Sequence, residues 1–141
     1  MSDSLHIACS NDDIENVKKL IEYGKDVNSY DINGNTPLHE ACINGHTNVI
    51  KFLISIGAKI NAKNYYSRDT PLHKAVQNNH IDSVKILLEA NVEVHNLDVC
   101  RKSALYTAYY NKRIDIANLL LEKGAYLSSN EIKFLKSLSF F

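Results

Sequence analysis

Four side chains able to do chemistry crowd into the stretch "TPLHEACINGH", residues 36–46: His39, Glu40, Cys42 and His46. Imidazole and thiolate are ligands for zinc, and a carboxylate beside an imidazole is an acid–base pair. Either use requires the groups to converge on one point. The chain holds three cysteines and six histidines, enough to build such a site. Whether they converge depends on the elements that carry them.

The stretch recurs. "TPLHKAVQNNH" stands at 70–80, a weaker copy "SALYTAYYNKR" at 103–113, and a fourth, "DSLHIACSNDD", at 3–13. The copies start at Asp3, Thr36, Thr70 and Ser103, in steps of 33, 34 and 33 residues. A second phrase follows each: "VKKLIEYGKDVN", "IKFLISIGAKIN", "VKILLEANVEVH" and "ANLLLEKGAYLS". A period of this length is the mark of a repeat architecture. The units run over approximately 1–30, 31–63, 64–97 and 98–128, and 129–141 remains as a C-terminal capping helix, all within a single domain.

Each unit reads as two short helices. Asp3, Thr36, Thr70 and Ser103 are residue types that cap a helix N-terminus, and Pro37 and Pro71 follow where a missing N–H costs nothing. The first helix buries Leu38, Ala41 and Cys42 in one unit and Leu72, Ala75 and Val76 in the next. A break is expected near Gly45, Asn79 and Lys112. The second helix carries apolar residues at helical spacing, such as Val49, Ile50, Leu53 and Ile54. It ends at Gly24, Gly57, Asn91 or Gly124, the residue types that best tolerate a left-handed cap. "SSNEIKFLKSLSFF" reads as an amphipathic closing helix, capped by Ser129 or Asn130, with Ile132, Phe134, Leu135 and Leu138 apolar.

"DINGNTPLHEACINGH" followed by "GAKINA" closely resembles the ankyrin repeat, and the resemblance extends over nearly the whole chain. It implies an all-α solenoid of stacked helix pairs with projecting β-hairpin-like loops. The turn signal of those loops is clear at "DINGN", 31–35. "KNYYSRD" carries one extra residue and "DVCRK" follows in the last unit; both lack the usual glycine, which leaves their geometry open. In the family the first-helix histidine is similar to a polar bridge between the capping threonine and the next unit's backbone, the role this implies for His39 and His73. Asn28 and Asn61 resemble the repeat-ending asparagine offered to asparaginyl hydroxylases, with His95 in the equivalent place; a turn that needs a side-chain hydrogen bond is the favoured explanation.

The repeat address answers the question of convergence. His6, His39 and His73 share one position, His46 and His80 another, and His95 a third, so they spread along the stack at intervals of roughly 10 Å. Cys9 and Cys42 share a small-residue slot one unit apart, too far for a disulfide. Cys100 alone sits in a loop, and it reads as an ordinary surface thiol. Glu40 is expected to face solvent. No metal, cofactor, small-molecule substrate or catalytic set is expected, and an enzyme is the disfavoured class. The ladder Asn11, Asn44, Asn78 and Asn111 is better explained by closing the first helix than by a polar ridge.

Sixteen basic and sixteen acidic residues cancel, split seven against nine in residues 1–70 and nine against seven beyond. This gives no global field for nucleic acid or anionic lipid. No signal peptide or spanning stretch is expected. The odd cysteine count fits a reducing compartment, cytoplasmic or nuclear.

Specificity must then lie on the surface. The resemblance implies a concave groove lined by loop tips and first-helix positions. By address these are Ile32, Asn33, Asn35, Ile43 and Asn44; Tyr66, Ser67, Arg68, Asp69, Gln77 and Asn78; and Arg101, Lys102, Tyr110 and Asn111. Exposed apolar residues are common on any surface, but Ile32, Ile43, Tyr66 and Tyr110 share one face, and Tyr and Arg are enriched at interface hot spots. In the last unit Ala104, Tyr106 and Tyr109 replace Pro, His and a small residue, which reads as repacking against the closing helix rather than as an epitope with Lys112 and Arg113. The expected function is a monomeric, non-catalytic module that binds a partner protein as an adaptor or stoichiometric inhibitor. A nucleic-acid-associated or purely structural stack is the alternative.

Overall fold

A helix can start only where its first N–H groups find acceptors. Thr36 and Thr70 lie in extended backbone, and each hydroxyl accepts the N–H of the third helical residue, His39 or His73. Each histidine returns the bond, its Nδ1 accepting the threonine N–H at 3.1 Å. The proline between them has no N–H to lose. Ser103 caps its helix in the same way through the Tyr106 N–H.

A computed structural model describes residues 4–138. Its regular elements are helices: α1 Leu5–Ser10, α2 Ile14–Glu22, α3 Pro37–Asn44, α4 Thr47–Ser55, α5 Pro71–Gln77, α6 Ile81–Glu89, α7 Ala104–Tyr110, α8 Ile114–Glu122 and α9 Ser129–Ser137. No strand occurs among the described residues, and no helix there is long and apolar enough to cross a membrane. Helices α1, α3, α5 and α7 stack in one row, α2, α4, α6 and α8 in a second, and each first helix packs on its own second helix.

The core lies between the rows. Leu38, Ala41, Cys42, Val49, Ile50 and Leu53 are at most 1% exposed. Burying a leucine such as Leu38 contributes about 2 kcal/mol. Ala8, Ala41, Ala75 and Ala108, one per unit and all buried, let successive first helices approach closely. The left-handed turns fall where the sequence places them: Gly24, Gly57, Asn91 and Gly124 after the second helix, and Gly45, Asn79 and Lys112 after the first.

The ends depart from expectation. Asp3 lies outside the described residues, and Ser4 caps α1. Helix α9 is capped by Ser128, not by Ser129 or Asn130, because Ser128 and Glu131 form a reciprocal capping box that fixes the start one residue earlier. Only Leu135 and Glu131 of α9 are fully buried; Ile132, Phe134 and Leu138 stay 36%, 45% and 44% exposed.

The three loops share one design. Asp31, Asn64 and Asp98 each donate a backbone N–H across the loop, to the carbonyls of Asn35, Asp69 and Lys102. Their side-chain oxygens accept two loop amides apiece: Asn33 and Asn35, Tyr66 and Ser67, Cys100 and Lys102. The extra residue of the middle loop is absorbed inside this turn. The missing glycines do not change the geometry: Arg68 and Arg101 adopt φ of 59° and 62° where Gly34 has 77°. Neighbouring tips are stitched by Tyr65 N–H to the Gly34 carbonyl at 2.9 Å and by Val99 N–H to the Ser67 carbonyl at 2.8 Å.

Candidate interaction surface

The histidines are joints of the scaffold. Thr36 N–H can only donate, so His39 Nδ1 is a bare acceptor; Nε2 therefore carries the proton and donates it to the Asp69 carbonyl, 2.8 Å away. His73 does the same toward the Lys102 carbonyl at 3.1 Å. His6 reaches Ser29 forward, whereas His46 and His80 reach back to the carbonyls of Ser10 and Ile43. Burial pushes the His39 imidazole down to about 4 and lowers that of His73. Burial likewise raises the Cys9 thiol to about 12 and the Cys42 thiol further still. All three thiols are free, and Cys100 is exposed.

The unit-ending residues tie neighbours together on the other side. Asn28 Oδ1 accepts the Lys59 N–H at 2.8 Å, and Asn61 Oδ1 accepts the Glu93 N–H at 2.9 Å. His95 has no amide to offer, and its ring instead lies 4.5 Å from that of Tyr126. In the asparagine ladder, Asn11, Asn78 and Asn111 are helix C-caps, and the Asn44 and Asn78 amides donate to carbonyls four residues back.

The expected contact residues divide into two sets. Ile32 is 89% exposed, Tyr66 64% and Tyr110 49%, and Asn33, Asn44, Arg68, Arg101 and Asn111 are also exposed. Ile43, Gln77 and Lys102 are half-buried. Asn35 and Asp69, expected on the surface, are buried, because both are consumed inside the loops. Asn35 accepts from Asn64 Nδ2 at 2.6 Å and donates to Glu40 Oε1 at 3.0 Å. Asp69 accepts from Ser67 and Gln77 and pairs with Lys74 at 3.2 Å. Glu40 is half-buried rather than open, and burial, with Asp31 nearby, raises its carboxyl.

Three features went unread in the sequence. Ile7, 49% exposed, shares the address of Glu40 and Lys74 and could have been found by it. Tyr65 and Val99, 75% and 59% exposed, extend the apolar row of loop tips begun by Ile32. Glu131 carries no signal by address. It is 2% exposed, and its two oxygens accept the N–H groups of Ser103 and Ser128 at 2.7 and 2.8 Å. Burial alone would raise this carboxyl, but those bonds outweigh it and hold it below the usual range. Tyr106 is buried beside Phe134 of α9 and stacked on Tyr110, and Lys102 Nζ sits 4.3 Å from the Tyr106 ring centre. Arg113, at the address of His46 and His80, is the half-buried N-cap of α8.

No curated protein matches this chain. The family model for ankyrin repeats (3 copies) matches residues 2–64 and again residues 63–131. Between them these matches span nearly all of the sequence and include the capping threonines, bridging histidines and left-handed glycines described above. The chain belongs to the ankyrin-repeat family, whose members are in general protein–protein interaction modules.

Proposed function

We propose that this chain is a non-catalytic binding module that engages a partner protein through its loop tips and first-helix face, as a small adaptor or as an inhibitor that covers the partner's surface. The observation that carries the reading is the exposure of Ile32 and Tyr66 in the loops and of Tyr110 at the end of α7, at 89%, 64% and 49%. Large rings with few rotors give contact area at low entropic cost. Five of the six histidine rings bond backbone carbonyls, and Cys9 and Cys42 are buried with raised pKa. The three free thiols suit a reducing compartment, cytoplasmic or nuclear, and the module acts as a monomer.

The test compares faces. A partner recovered by affinity capture is titrated against the full chain by calorimetry. Tyr66→Ala and Tyr110→Ala should each weaken binding by about 1–3 kcal/mol. Charge reversal at Lys51 and Lys85, exposed on second helices, should change little. The opposite result places the contact on the wrong face.

A further inference from the structure

We propose that the segment this surface takes is acidic, with carboxylates seated on Arg68 and Arg101; the inference rests on the loop face being the contact surface. Both arginines are exposed, and neither guanidinium has a hydrogen bond or ion pair among the described residues. They project from adjacent loops that the Val99 N–H to Ser67 carbonyl bond holds together.

The carboxylates of these loops and of the neighbouring unit already hold other partners. Asp31 accepts the Asn33 and Asn35 amides, and Asp98 those of Cys100 and Lys102. Asp69 is buried and paired with Lys74, and Glu40 is tied to Asn35. Lys102 is held over the Tyr106 and Phe134 rings, 4.3 and 4.6 Å from their centres. What these two loops present to a partner is therefore guanidinium without a carboxylate partner, on Arg68 two residues from the exposed Tyr66.

The backbone adds an independent observation. Arg68 and Arg101 occupy the left-handed corner that Gly34 occupies in the first loop. A side chain there is strained where glycine is not. Arginine at both corners is unfavourable for the loop itself, and in return each corner presents a planar fork suited to a carboxylate. Two arginines set among apolar tips, on a chain of zero net charge, favour an acidic protein segment over the long phosphate track of a nucleic acid.

The test selects binders from a random phage-displayed peptide library on the immobilised full chain. Recovered peptides should be enriched in Asp and Glu. The best clone, synthesised with a fluorescent label, should bind at least about tenfold more weakly to the Arg68→Gly/Arg101→Gly variant, and more weakly at high salt. Glycine suits both corners, so an unchanged circular-dichroism spectrum and an undiminished Tm confirm that the variant is folded. Binders without acidic enrichment, whose affinity falls with Tyr66→Ala but not with the arginine variant, overturn this assignment while leaving the contact face intact. Binders indifferent to both changes overturn the face as well. Displacement of the labelled peptide by single-stranded DNA at comparable affinity identifies phosphate as the ligand and overturns it also.

Discussion

Glu131 Oε1 accepts the Ser103 N–H at 2.7 Å, so the last helix supplies to the fourth unit what His39 and His73 supply to theirs. Tyr106 stands at the histidine position of that unit and has no ring nitrogen to accept the bond as His39 and His73 do. The carboxylate of α9 fills the gap and at the same time caps its own helix at Ser128. Glu131→Ala should cost about 1–3 kcal/mol, because two N–H donors lose their acceptor. The urea midpoint checks this, and Glu131→Gln, which keeps one acceptor oxygen, should fall between.

Acid should loosen the stack. Burial holds His39 at about 4, below the 6.5 of an exposed imidazole, so between those values the unfolded chain binds a proton that the folded chain refuses. Stability is then lost as pH falls through that window, by up to about 3 kcal/mol for this group. His73 acts in the same direction. Glu131, held below the usual carboxyl range, adds a loss at lower pH as it protonates. Urea midpoints measured from neutral pH downward should fall, and His39→Ala, itself destabilising by about 1–3 kcal/mol, should flatten that slope.

One buried hydroxyl works against the core. Ser83 is 0% exposed and its Oγ has no hydrogen-bond partner among the described residues. The same address holds Val49 and Ile116. Ser83→Ala should raise stability by about 0.5–1.5 kcal/mol by removing a desolvated group. Thermal unfolding reads the sign directly.

The turn after α3 admits nothing larger than glycine. Gly45 has φ of 71°, and a Cβ there would lie 2.5 Å from His80 Nδ1. That ring is fixed by its bond to the Ile43 carbonyl at 2.9 Å and cannot simply swing away. Gly45→Ala should cost about 1–3 kcal/mol. Gly57→Ala, at φ 92° but with open space around it, separates backbone strain from collision.

The repeat was legible because each of its parts has a local cause: a hydroxyl that caps, an alanine that permits contact, a glycine or asparagine that turns left-handed. Even the corners at Arg68 and Arg101 follow the loop design, although their residue type gave no notice of it. Exposure was harder to read. Asn35 and Asp69 lie at loop positions that address alone places outside; Asn64 of the next loop turns Asn35 in, and Ser67, Lys74 and Gln77 of its own unit turn Asp69 in. Glu131 was beyond reach, since its partner Ser103 lies 28 residues away and outside the period. The N-cap of α9, by contrast, has a local signal that was passed over, because Ser128 stands three residues before Glu131, the spacing of a capping box.

The substitution of His95 for the unit-ending asparagine changes how the stack can move. Asn28 and Asn61 lock their junctions with a directional bond to the next unit's amide, whereas His95 meets Tyr126 ring to ring. A hydrogen bond weakens steeply when misaligned, while two tilted rings in contact tolerate small shifts. Along this edge the joint between the third and fourth units lacks the directional bond that the other two junctions have, and Arg68 and Arg101 stand on opposite sides of it. Strain at that joint would open the unit-ending edge first, because the Val99 N–H to Ser67 carbonyl bond still ties the loops that carry Arg68 and Arg101.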